Sequence, residues 1–158
     1  MEALWELPGA GPKPGTKGEG HGKRNKDLII GTWNTRSLHR AGALKEFTKV
    51  ISDYNIDILA VQETRWTEKV SETRKHTILC NGNENRHELG VAFIVNNRMK
   101  ENILDFRPID ERLCMLRIKT RFFNLSLNNA HAETEEKDEI AKESFYQKLE
   151  QAHIWSRV

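Results

Sequence analysis

The sequence predicts a mixed α/β layer fold, α/β at its start and α+β in its second half. Two observations carry this. A buried-type apolar run, an amphipathic helix and a second apolar run follow one another within about 35 residues (residues 28–61), which is the pattern of a right-handed βαβ unit with parallel strands. From residue 76 onward short runs with alternating apolar residues succeed one another, the signature of antiparallel pairing.

The folded part starts late. Six of the ten glycines and three of the four prolines fall within residues 1–22, and this stretch has no apolar periodicity able to offset its ordering entropy. Residues 1–26 therefore read as a disordered Gly/Pro-rich leader and residues 27–158 as one domain, a size that suits a single core. Leu28-Ile29-Ile30-Gly31-Thr32-Trp33 has the nearly continuous apolar pattern of a buried strand. Leu44, Phe47, Val50, Ile51 and Tyr54 recur at three- and four-residue spacing among Lys45, Glu46, Lys49 and Asp53, an amphipathic helix. Asp57-Ile58-Leu59-Ala60-Val61 is the second buried strand. Residues 76–80, 90–95, 102–106, 114–119 and 122–128 read as further strands, with Asn81-Gly82-Asn83 a strong turn and Lys119-Thr120-Arg121 a tight hairpin. Residues 135–153 place Ala141, Phe145, Leu149 and Ala152 on one helical face behind Thr134 as N-cap.

Composition excludes several classes. Charged residues make up 30% of the chain and mean hydropathy is −0.68, and no apolar run approaches the roughly 18 residues a membrane helix needs. The N-terminus lacks the basic start and apolar core of a secretory signal. Two cysteines in apolar strand contexts, Cys80 and Cys114, read as reduced intracellular thiols rather than a disulfide framework. The formal charge of +2 hides +5 over residues 1–132 and −3 over residues 133–158, a balance that permits nucleic-acid contact without demanding it.

Chemistry in open α/β sheets gathers at the carboxyl ends of parallel strands. Asn34 follows Trp33 there, and Glu63 follows Val61-Gln62. A carboxylate at that edge suits a hard cation such as Mg²⁺, with an amide beside it to orient the metal or a phosphate. Trp33, Trp66, Arg36, Arg40 and Arg65 add stacking surface and positive charge, although Trp66 suits core packing equally well.

Residues 30–38, Ile-Gly-Thr-Trp-Asn-Thr-Arg-Ser-Leu, and residues 56–64, Ile-Asp-Ile-Leu-Ala-Val-Gln-Glu-Thr, resemble the first two motifs of the endonuclease/exonuclease/phosphatase superfamily. Residues 87–95, 112–118 and 123–132 continue the likeness, which spans residues 28–153. Within the superfamily the chain is similar to the endonuclease of RTE-type LINE retrotransposons and to craniofacial development protein 2-like proteins. The resemblance implies the N-terminal part of a four-layer α/β/β/α sandwich with an incomplete second sheet. It implies Mg²⁺-dependent hydrolysis of DNA phosphodiesters, with Glu63 and Asn34 holding the metal, Asn34 and His131 catalytic, and Arg112 on the substrate phosphate. The family's late Asp/Asn and Asp/His motifs have no counterpart before Val158, and Glu133 stands where relatives carry proline. The expectation is thus a truncated, catalytically crippled endonuclease or, alternatively, a non-enzymatic module that binds nucleic acid or a protein partner through an uncovered sheet face. A nuclear address fits the resemblance, and Lys23-Arg24-Asn25-Lys26 is a short basic cluster.

Overall fold

A computed structural model describes residues 27–36, 42–66, 70–80 and 89–155. The leader, Arg40 and the turn at Asn81-Gly82-Asn83 lie outside the described residues. The βαβ unit forms as the periodicity requires: β1 (Ile30–Asn34), α1 (Ala43–Asp53) and β2 (Ile58–Gln62), with β1 and β2 parallel and Asn34 level with Gln62. α1 buries Phe47 and Ile51 against Leu59, Val61, Ile78 and Ile94 on the outer face of the sheet. The Trp33 ring lies tilted against Phe47, centroids 4.6 Å apart, and Trp66 joins the same cluster. Both tryptophans therefore serve packing.

β3 (Val70–Glu72), β4 (His76–Cys80) and β5 (Val91–Asn96) complete a five-stranded sheet of order β1-β2-β5-β4-β3. A short 3₁₀ helix, Asn97–Asn102, leads into a three-stranded antiparallel sheet, β6 (Ile103–Asp110), β7 (Leu113–Lys119) and β8 (Asn124–Ala130). The sheets share one core. Ile58, Val91, Phe93 and Val95 of the first meet Cys114, Leu116 and Ile118 of β7 and Leu127 of β8. Leu113 and Met115, also buried, alternate with these and face away. That outer face is closed by α2 (Glu139–Trp155), which touches β8 and buries Phe145 and Ala152. The order of layers is α1, five strands, three strands, α2: a partial α/β/β/α sandwich.

The structure amends four expectations. β1 is an edge strand, paired only with β2 among the described residues, and Ile29 and Ile30 are 44% and 43% exposed. Its apolar run reads as buried, but with β2 as its one partner among the described residues the strand leaves Ile29 and Ile30 half open to solvent. The N-cap of α2 is Asp138, whose carboxylate accepts from Ala141 N at 2.7 Å, while Thr134 contributes only its carbonyl, to Lys137 N. The hairpin loop spans residues 120–123, so the strand after it starts at Asn124 and leaves Phe122 and Phe123 exposed. Lastly, the inner face of the first sheet is largely covered by β6–β8. Among the described residues, a cleft of about 400 Å³ stays open between β1 and β8, lined by Ile30, Thr32, Gln62, Phe93, Leu127 and Asn129. Cys80 and Cys114 are buried and not disulfide-bonded, and burial, followed by the neighbouring Cys80, pushes the Cys114 thiol up. No helix among the described residues is long and apolar enough to cross a membrane.

Candidate active site

Parallel pairing of β1 with β2 sets Asn34 and Glu63 side by side at one end of the sheet. The chain turns sharply after Gln62. Glu63 and Arg65 adopt left-handed backbone conformations (φ 56° each), as does Arg36 (φ 53°). Such conformations are costly for residues with a Cβ and persist where the surroundings over-determine them. Thr35 supplies part of that constraint. Its amide donates to Gln62 O at 3.1 Å, and its hydroxyl donates to Gln62 O at 3.0 Å and Glu63 O at 3.3 Å. Beyond Glu63, Thr64 N donates to Gly90 O and Arg65 N to Leu89 O, each at 3.1 Å, extending the β2–β5 pairing past the strands. Gly90 has φ 128°, and a Cβ there would lie 2.7 Å from Thr64 Oγ1.

The side chains converge on one carboxylate oxygen. Asn34 Nδ2 donates to Glu63 Oε1 at 2.9 Å, and His131 Nε2 lies 3.4 Å from the same oxygen. Asn34 Oδ1 in turn accepts from Arg36 N at 3.1 Å, which fixes the amide orientation. His131 arrives from the other sheet, just past β8, with its backbone N–H donating to Arg112 O at 2.8 Å. Arg112, between β6 and β7, donates through Nε to Glu133 Oε1 at 2.8 Å and through Nη1 to the carbonyls of His131 and Ala132 at 3.3 and 3.2 Å. Nη1 also stands 3.5 Å from His131 Nδ1. All four residues singled out from the sequence thus meet at one site: Asn34 and Glu63 from the first sheet, Arg112 and His131 from the second.

The electrostatics are mixed. Burial, then the Arg112 guanidinium, holds the His131 imidazole below its usual range, opposed by the carboxylates of Glu63 and Glu133. The ring is therefore neutral at pH 7. Glu133 Oε2 is buried with no hydrogen-bond partner among the described residues. Three contributors escaped the sequence reading as site components: Thr35, Glu133 (noted only as a departure from proline) and Asn129. Asn129 left a trace, because it is a polar residue in phase with Leu125 and Leu127 on the core-facing side of β8. No group of three or more His, Cys, Asp or Glu able to enclose a metal occurs among the described residues. One carboxylate flanked by an amide suits a hard divalent cation that keeps most of its waters and takes further oxygens from substrate.

Residues 31–156 match the model of the endonuclease/exonuclease/phosphatase family. The chain belongs to that family. Two curated relatives are similar to it over 126 residues, or 79% of this chain: craniofacial development protein 2 of Bos taurus at 31% identity and of Tragulus javanicus at 32%. The chain spans about a fifth of the length of each, 21% and 22%. Among solved structures, the AP endonuclease LMAP from Leishmania major superposes with a TM-score of 0.55 at 13% identity, over 77% of this chain and 45% of that one. This likeness extends the family assignment to the fold: the two sheets and flanking helices of this chain correspond to part of that sandwich.

Proposed function

We propose that residues 27–158 form the metal- and phosphate-holding part of a retrotransposon-type, Mg²⁺-dependent DNA endonuclease domain, and that this part by itself binds DNA without cleaving it at an appreciable rate. One observation supports the reading: a single carboxylate oxygen, Glu63 Oε1, is shared between Asn34 and His131 at the carboxyl end of parallel strands, where ligands gather in open α/β sheets. Glu63 would hold the cation with Asn34 steadying it. When bound, Mg²⁺ supplies a Lewis acid that offsets charge building on phosphoryl oxygens. Asn34 orients the Glu63 carboxylate, and neutral His131 can donate one hydrogen bond to a phosphate oxygen. Arg112 adds positive charge behind the ring, partly neutralised by Glu133.

Hydrolysis also requires a group that activates water. Among the described residues, the other carboxylates beside this cluster, Glu133 and Asp110, are engaged by the Arg112 side chain and backbone N–H respectively, and absence of a general base costs about 10²–10⁴ in rate. A second reading, a module that docks a protein segment, is favoured by the open cleft beside the exposed edge of β1.

Supercoiled plasmid with Mg²⁺ tests the first reading, with Glu63→Gln and a chelator as paired controls. The expected result is no nicking, alongside salt-sensitive binding of labelled DNA measured by anisotropy. Nicking that disappears in both controls would show that the site is catalytically complete and overturn the proposed inactivity. Binding indifferent to salt would remove the DNA assignment, since phosphate contacts release counterions.

A further inference from the structure

His131 and Glu63 belong to different sheets, so their 3.4 Å approach depends on how β8 is set along β2. Apolar packing does not fix that setting tightly. Leu127 on β8 packs against the core non-directionally, and burial of such surface is governed by area rather than alignment. Asn129 is different. It is buried, and its Nδ2 donates to Val61 O at 3.0 Å and to Ala92 O at 2.8 Å. Val61 and Ala92 are directly opposed on the β2–β5 ladder, so the amide sits over the seam between those strands. Its Oδ1 accepts from Gln62 Nε2 at 2.7 Å, and Gln62 Nε2 also donates to Thr32 Oγ1 on β1 at 3.0 Å. One side chain of the second sheet is thereby tied to three strands of the first.

The location gives this clamp a functional bearing. Asn129 precedes His131 by two residues, and its partner Gln62 immediately precedes Glu63. Stability alone does not call for an amide here: a buried polar group carries a desolvation cost, and an apolar side chain in phase with Leu125 and Leu127 would suit the same face. What a fully satisfied buried amide adds is a unique alignment. We propose that Asn129 is a positioning residue: it sets the register between the sheets and, through it, the placement of His131 against Glu63 and Asn34. The inference rests on the reading of Glu63, Asn34 and His131 as the site.

The test uses the full chain, ¹⁵N-labelled and metal-free, at pH 8, where His131 is neutral. The side-chain amide resonance of Asn34 and the ring resonances of His131 are compared in wild type, Asn129→Leu and Phe145→Leu, the last a core change in α2 remote from the site. Asn129→Leu is expected to move the Asn34 and His131 resonances. Phe145→Leu is expected to lower the thermal midpoint by a similar amount while leaving them in place. Asn129→Ser provides a milder variant that is read in the same way if the leucine variant does not fold. Site resonances unmoved in both Asn129 variants, or moved as far by Phe145→Leu, would overturn the proposal. A Mn²⁺ titration then separates it from the functional reading. Weakening by about 10-fold in the Asn129 variants, typical when support behind a metal ligand is lost, is the expected result. Should the resonances move while wild type and Glu63→Gln bind Mn²⁺ equally, positioning stands and the metal assignment falls.

Discussion

β2 is bracketed by two carboxylates, Asp57 before it and Glu63 after it, and their surroundings differ in kind. The Asp57 side chain is 6% exposed. It accepts from Arg98 Nε at 2.6 Å and Ile29 N at 3.0 Å, with Arg98 Nη2 at 2.5 Å, and Arg98 also reaches Asn55 O. Glu63 is 26% exposed, sits on a left-handed turn, and shares one oxygen between an amide and a neutral imidazole. Of the two carboxylates flanking one strand, Asp57 is thus closed in by protein partners, and Glu63 is the one left partly open to solvent. A carboxylate whose partners all lie within the protein holds structure together, whereas one with few partners and solvent access is where binding can occur.

The comparison breaks most visibly in stability. Asp57→Ala should cost about 3 kcal/mol, because it removes charge-assisted hydrogen bonds and leaves Arg98 without its carboxylate; urea unfolding measures it. A loss below about 1 kcal/mol would mean that the closed end is no more structural than the open one.

A smaller, pH-dependent effect belongs to the Asp57 end as well. His76 opens β4 opposite Asn96, whose amide donates to Asp57 O. The ring is 1% exposed with neither nitrogen hydrogen-bonded among the described residues, and burial, then Lys75, lowers its pKa. The unfolded chain therefore binds the His76 proton more readily than the folded one. Its contribution is fully present above the unfolded value of about 6.5 and is lost as pH falls through it, at no more than about 1.4 kcal/mol per pH unit. His131 is lowered too and adds a slope of the same sign. Urea midpoints between pH 8 and 5 should fall less steeply in His76→Leu than in wild type, and equal slopes would refute the assignment.

Glu63→Gln sharpens the contrast from the other side. Its unfolding free energy should change by no more than about 0.5 kcal/mol, as for a partly exposed group, while Mn²⁺ affinity falls at least about 10-fold, measured by water proton relaxation. The smallest expected effect is at Glu133. Replacing it with glutamine removes a negative charge and frees Arg112. DNA affinity should rise only a few-fold at low salt, with a steeper salt dependence by about 0.9 in log–log slope if one phosphate contact is gained.

Local patterns made much of this legible in the sequence. α1 and β2 declared themselves through apolar spacing, and the βαβ rule alone put Asn34 beside Glu63. β3 could not be read, because three residues, Val70–Glu72, are too short to show alternation. The exposure of β1 depends on how many neighbours a strand has, which its own residues do not encode. His131 against Glu63 and Asn129 over the β2–β5 seam are contacts between sheets, separated by 68 positions for His131–Glu63 and by 67 and 37 for Asn129 with Gln62 and Ala92. Family resemblance brought His131 to notice, but nothing local indicated what it would meet. Likewise Asp138 and Thr134 are both competent caps, and the geometry of the chain entering α2 chose between them.

Gly90 carries no chemistry, yet it is where the turn bearing Glu63 and the start of β5 interlock: its backbone oxygen accepts from Thr64 N, its φ disfavours a side chain, and a Cβ would press on the Thr64 hydroxyl. In a saturation screen scored on metal or DNA binding, position 90 would rank beside the proposed site residues Asn34, Glu63 and His131. Sensitivity to replacement maps the rigid frame of the site as faithfully as its reactive atoms, so such a screen needs a folding readout beside it before any intolerant residue is counted as part of the chemistry.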